Sequence, residues 1–251
     1  MPHYLNPPIQ EVLVDFQVVL TEETQLDSLA AFHHGLEDRF PERKERISVQ
    51  HGFQLSPATG IHSSTSHRLV DGYLFVSQEC GKTVQVRLDG FTFNKVKPYS
   101  NWQQFVDETR ELWTRYLAVA KPVNISRIGL RYINRIDLPL PLKDLREYCL
   151  LFPDLPQSMP TMLSEFFQRF VLPFDSASPV SGSSVTLTFM PPSLNAPGAL
   201  LPVLLDIDVF RTWQLLSPDS SEAWEVLEAM RSLKNQIFEA SLTAKAKELF
   251  A

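Results

Sequence analysis

Cysteine is nearly absent from this chain, with only Cys80 and Cys149 among 251 residues. That scarcity excludes a disulfide scaffold, and the two share no spacing for zinc, so they read as reduced thiols of a cytoplasmic protein. Glycine is also scarce, nine residues against nineteen prolines. No glycine-rich phosphate loop exists, and the GSS at 182–184 is a hairpin signal rather than a nest leading into a helix. No apolar run approaches the roughly 20 residues of a membrane-spanning helix. The opening MPHYLNPPIQ lacks both the basic region and the apolar core of a signal peptide. A basic surplus is missing as well. The formal net charge of −6 and pI near 5.5 argue against nucleic acid as a partner.

What is present is patterned apolar sequence. The 44% apolar and 21% charged fractions are those of an ordinary globular protein. Residues 11–20 alternate Val12, Val14, Phe16 and Val18 against Leu13, Asp15 and Gln17, the pattern of a strand with one apolar face. Helical spacing follows over 24–40, with Thr24 and Asp27 placed as a capping box and His33 on the buried side. Extended segments are expected near 45–55, 67–79 and 83–97. Asp71-Gly72 marks a turn or bulge, and Cys80-Gly81-Lys82 a hairpin. The clearest helix spans 101–120, capped by Ser100 or Asn101. It carries Trp102, Phe105, Val106, Leu112, Trp113 and Tyr116 on one side.

The second half repeats this order. A strand at 123–138 leads to a short helix near 142–151, strands near 163–173, 183–190 and 202–212, and a long helix over 218–247 that re-caps at Thr243. The expected fold is α+β, built from pseudo-duplicated β-α-β-β-β-α units (halves 1–121 and 122–251). Seven or eight strands would merge into one curved, mostly antiparallel sheet with the long helices packed on one face. No linker interrupts the chain, so residues 1–251 read as a single domain.

The strand at 123–138, VNISRIGLRYINRIDL, holds the main functional clue. Its period of two places Arg127, Arg131 and Arg135 on one face and Ile128, Leu130, Tyr132 and Ile136 on the other. Asp206 and Asp208 alternate within PVLLDIDVF, Asp15 and Gln17 share a side of the first strand, and Gln85, Arg87 and Asp89 share a side of another. One reading is an interstrand salt-bridge ladder. The other is a binding face on which Arg127, Arg131 and Arg135, with Asp206, Asp208 and Asp15 beside them, fork onto anionic groups of a partner.

Three segments, NPPIQEVLVDF (6–16), SRIGLRYINRIDL (126–138) and SLTAKAKELF (241–250), resemble an uncharacterised family of similar length, distributed sporadically among bacteria and archaea. The resemblance implies a common fold. It brings no activity or site residue, and the patchy distribution suggests an accessory role in a mobile or defence-type system.

No nucleophile–base pair or metal cluster emerges. His33 and His34 diverge by about 100° on a helix, and His62 and His67 flank a serine-rich run that reads as a loop. The expected function is therefore a non-catalytic protein-binding or adaptor protein, with a protein partner and no cofactor or metal, using the charged sheet face or an exposed edge strand. The alternative is a metal-dependent phosphoryl hydrolase or nucleotide-binding enzyme in which the arginines grip phosphate and Asp206 and Asp208 hold a divalent cation. A nucleic-acid binder on a saddle-shaped sheet ranks third.

Overall fold

The alternation at the N-terminus becomes strand β1 (Ile9–Val19), and its position decides much of the rest. The computed structural model describes residues 4–56, 60–99, 101–152, 158, 166–174, 178–189 and 200–251. Within them nine strands form one antiparallel sheet: β1, β2 (Glu42–Ser56), β3 (Gly60–Ser77), β4 (Lys82–Arg87), β5 (Gly90–Val96), β6 (Asn124–Leu138), β7 (Phe166–Pro173), β8 (Gly182–Phe189) and β9 (Leu201–Leu216). Their order across the sheet is β2-β3-β4-β5-β1-β6-β9-β8-β7. The described residues also form four α-helices: α1 (Leu26–Leu29), α2 (Trp102–Ala120), α3 (Glu222–Ser241) and α4 (Ala244–Glu248). The fold class is α+β. No helix among the described residues is long and apolar enough to cross a membrane.

Both edges of β1 are occupied, by β5 and β6. Val12, Val14, Phe16 and Val18 are buried, as are Ile128, Leu130, Tyr132 and Ile136 of β6. The alternation therefore gives the sheet an apolar face of the kind the pattern implied. Phe16 stacks on Trp113 of α2 with ring centroids 4.3 Å apart, and Trp224 of α3 lies 5.8 Å from the same ring. The two long helices are joined directly. Arg110 of α2 lies over the Trp224 ring, and Trp102 Nε1 donates to Glu228 of α3.

Several elements differ from the sequence reading. The segment 83–97 is two strands, because Arg87 pairs with Gly90 across a tight turn at Leu88-Asp89. A Cβ at Gly90 would sit 2.2 Å from the Phe16 carbonyl oxygen, so only glycine allows β1 to approach there. This hairpin raises the strand count to nine and gives the first half four strands after its short helix, where three were expected. The helix expected over 24–40 is cut to α1 and a 3₁₀ turn, Ala30–His33. Gly35 takes a left-handed φ of 73°, and His33 Nε2 bonds the Phe40 carbonyl at 2.7 Å, folding the chain back. The helix expected near 142–151 is only the 3₁₀ turn Leu145–Glu147. Its following backbone groups pair with the end of α3 instead, Leu150 N–H with the Ser241 carbonyl and Tyr148 carbonyl with Thr243 N–H.

Other details agree. Asp71-Gly72 is a bulge, where the β2–β3 register shifts between Arg46 and Ile47. Asn101 caps α2 by accepting from Gln104 N–H at 2.9 Å, and Thr243 re-caps the chain into α4. The run 62–67 belongs to β3 rather than a loop, because β2 and β3 pair along their whole length. The proline-rich stretch at 191–199, the start of the strand expected over 163–173 and the last residue of the one expected over 183–190 fall outside the described residues.

Trp113 is buried and touches Phe16, Phe91 and Tyr116. Trp113→Ala is therefore expected to cost about 3–5 kcal/mol in urea unfolding. A change near zero would place the apolar contact between α2 and β1 elsewhere.

Candidate functional site

The face of the sheet opposite Phe16 is organised around Asp15. In β1 this residue lies opposite Thr92 of β5 on one side and Gly129 of β6 on the other. Two guanidinium groups converge on its carboxylate. Arg87 of β4 donates to Asp15 Oδ1 at 2.9 Å and Arg127 of β6 lies 3.5 Å from Oδ2. Two glycines make room for them. A Cβ at Gly90 would come within 2.7 Å of the Arg87 guanidinium, and one at Gly129 within 2.7 Å of that of Arg127. Each arginine thus lies flat across a position that has no side chain.

Arg127 also reaches Asp208 of β9 at 3.1 Å and lies over the Phe210 ring. Arg131 sits opposite Asp208 in the β6–β9 register, yet its fork closes on Asp206, with Nε and one terminal nitrogen donating at 2.8 and 2.5 Å. That bidentate geometry suits a guanidinium and a carboxylate, and the Asp206 hydrogen bonds are the main reason the Arg131 pKa rises. Burial pushes the Asp208 carboxyl up, more strongly than Arg127 and Arg131 pull it down. Arg135 stands apart and pairs with Asp137 of its own strand, both half-exposed. The fold thus joins Asp15, Arg127, Asp208, Arg131 and Asp206 into one connected face and leaves Arg135 outside it.

Arg87 is the member that sequence reasoning did not single out. It is the most buried of the arginines on this face, 6% exposed. It spends its donors on Asp15, Asp89 and the Thr92 hydroxyl, which in turn donates to Asp15 at 2.6 Å. Burial alone would lower its pKa; the Asp15 and Asp89 carboxylates more than offset this, and the net shift is upward. Its alternation with Gln85 and Asp89 was visible, but its central place depends on the β4–β5 hairpin bringing it beside β1. Arg87, Arg127 and Arg131 thus each already hold at least one carboxylate.

A second location was not foreseen. A cavity of about 370 Å³ opens where the N-terminal segment, the approach to α2, β6 and α3 meet. Lys234 of α3 lies on it, 8% exposed, at a position otherwise filled by Met230 and Phe238 four residues to either side. A lysine inside an apolar i, i+4 row was the available signal, obscured by Leu233 and Ile237 suggesting a buried line one residue earlier. Among the described residues, no group of three or more His, Cys, Asp or Glu side chains is placed to hold a metal ion. No protein-family model matches the chain, and no curated protein matches it either.

Two predictions follow from this face. Asp15→Ala strips Arg87 and Arg127 of a shared partner and is expected to cost about 3–5 kcal/mol, whereas Arg135→Ala should change stability by about 0.5 kcal/mol or less. Urea titrations of the two variants measure the contrast. The second concerns pH. Folding raises the Asp208 pKa above that of the unfolded chain, so its contribution favours the folded state in acid and is lost as pH rises through the raised value. Asp208→Asn lacks that loss. Its stability relative to the unaltered protein should therefore improve between about pH 4 and about pH 7.

Proposed function

We propose that the chain is a non-catalytic protein-binding module that captures an extended segment of a partner protein along strand β7. The observation that carries this reading is the contrast between the two outermost strands of the sheet. Strand β2 opens with Glu42, Arg43, Lys44, Glu45 and Arg46, the charged composition that discourages edge-to-edge pairing. Strand β7 at the opposite edge reads FFQRFVLP and carries a single charge, Arg169, whose Nε donates to Ser184 Oγ at 2.8 Å. Among the described residues β7 pairs with β8 alone. Phe167 and Val171, 69% and 60% exposed, stand on the ion-paired side of the sheet beside Thr188 and Ser184. Strand addition would use the open backbone groups for affinity and these two side chains as anchors.

The architecture in this proposal is a single domain of two related halves. In each half the first strand pairs with the last, β1 with β5 and β6 with β9, and β1–β6 form the seam between halves. The shared contact of Trp113 and Trp224 with Phe16 supports long helices on one face, which leaves the ladder and the β7 anchors to a partner. A bacterial cytoplasm suits two unbridged thiols, Cys80 exposed and Cys149 buried. The rival reading, a phosphoryl hydrolase or nucleotide-binding enzyme on the arginine strand, would require Arg127 and Arg131 to leave carboxylates they already hold. Nucleic-acid binding would oppose a net charge of −6.

The test uses the tagged full chain expressed in its native host. The unaltered protein should retain one partner in fixed stoichiometry. Phe167→Glu with Val171→Glu should weaken that capture at least about tenfold while leaving thermal stability nearly unchanged. A chain that elutes alone, with or without the substitutions, and turns over nucleotides or polyphosphate with Mg²⁺ would remove the proposal.

A further inference from the structure

The cavity beside α3 contains an ammonium that no carboxylate contacts directly among the described residues. Lys234 projects from the buried stripe of α3 and its Nζ lies 3.8 Å from the centroid of the Tyr132 ring. Among the described residues it has no hydrogen-bond or ion-pair partner. A cation over an aromatic face recovers part of its lost hydration, but an ammonium can direct three donors and none is used here. The nearby carboxylate is already committed: Glu239 accepts from the Tyr4 hydroxyl at 2.8 Å and pairs with Lys247 at 3.0 Å. Arg231, a second cation lining the cavity, lies over the Trp102 ring and pairs with Glu228 at 3.5 Å. Tyr4, Tyr99, Trp102, Tyr132 and Phe238 contribute rings to the remaining walls, beside aliphatic residues of the N-terminal segment and three asparagine side chains. The volume is at the small end of ligand pockets, which run from roughly 300 to 1,000 Å³.

We propose that this cavity binds a small monocarboxylate with a flat apolar body, the carboxylate meeting the Lys234 ammonium and the body lying against the aromatic walls. A singly charged head suits one unpaired ammonium beside the Glu239 carboxylate, which would repel a dianion. A flat body suits walls made of rings. The site is separate from β7, so it stands or falls independently of the protein-binding reading.

Protonation sharpens the inference. Burial is the first cause that brings the Lys234 pKa down to about 8, Arg231 adds to the fall and Glu239 opposes it. The groups facing it from other elements, Tyr4, Tyr99 and Tyr132, all have raised pKa values and are neutral at physiological pH. A bound carboxylate favours the ammonium, so binding takes up a proton above pH 8, and affinity falls as pH rises through that value.

The experiment uses benzoate as the probe, with benzamide as its uncharged counterpart and phenyl phosphate as its dianionic one. Calorimetric titration of the full chain should show benzoate binding about tenfold more weakly near pH 9 than near pH 7. Benzamide should show no such dependence. Lys234→Met should fold with a Tm no lower than that of the unliganded protein, because a buried charge is replaced by an apolar chain of similar length. It should lose benzoate binding, while Phe167→Glu with Val171→Glu retains it. Absence of benzoate binding, equal binding to Lys234→Met, or an unchanged affinity between the two pH values would overturn the proposal. Tighter binding of phenyl phosphate than of benzoate would overturn the assignment to a monocarboxylate.

Discussion

Two adjacent residues of β1, Asp15 and Phe16, hold the two faces of this protein to one strand. Phe16 points toward the helices, where it stacks on Trp113 and meets Trp224. Asp15 points the other way and anchors Arg87 and Arg127. Because β1 is hydrogen-bonded on both edges, neither side chain can shift without moving a neighbouring strand. A slip of one residue in the β1–β6 register would exchange the faces. It would drive Arg127 and Arg131 beneath α3 and expose Ile128 and Leu130 between them. The alternation therefore specifies register through the cost of burying unpaired guanidinium groups, more than through the energy of any one ion pair.

That distinction matters for how the ladder is valued. Exposed pairs such as Arg135–Asp137 contribute about 0–1 kcal/mol, and their loss is tolerated. The pairs around Asp15 are less hydrated, and removing Asp15 takes from Arg87 and Arg127 a carboxylate that both share, leaving Arg87 with Asp89 and Arg127 with Asp208. Gly90 and Gly129 belong to the same device. Without the space that they leave, the guanidinium groups could not lie across the strands to reach a shared carboxylate. The result is a face of paired guanidinium and carboxylate groups across β4, β1, β6 and β9.

Lys234 shows the contrasting way to bury a cation. Arg87 is surrounded by carboxylates and a hydroxyl, and its charge is favoured. Lys234 rests on an aromatic ring in an open cavity, and its charge is disfavoured. The first arrangement is complete within the chain. In the second, no carboxylate contacts the ammonium among the described residues, and the ligand proposed for the cavity would supply one.

Local sequence by itself determined which residues face the core and which face the ladder. The period of two in β1 and β6, and the three-four spacing of α2, are backbone geometry written directly into residue order. It also narrowed the α2 cap to Ser100 or Asn101 and marked the re-cap at Thr243, which need only neighbouring residues, and it left Asp71-Gly72 as a turn or a bulge until the β2–β3 pairing decided between them. Tertiary structure decided which arginine meets which carboxylate: Arg131 takes Asp206 although Asp208 lies opposite it, a choice set by the diagonal reach of a guanidinium between twisted strands. It placed Arg87 at the centre through a hairpin whose tightness depends on Gly90 clearing the Phe16 carbonyl. It cut short the helices expected at 24–40 and 142–151, because backbone groups there found partners distant in sequence or in a reversing turn. It also isolated Lys234, since whether a buried charge is paired depends on what surrounds it in space and not on its neighbours along the chain.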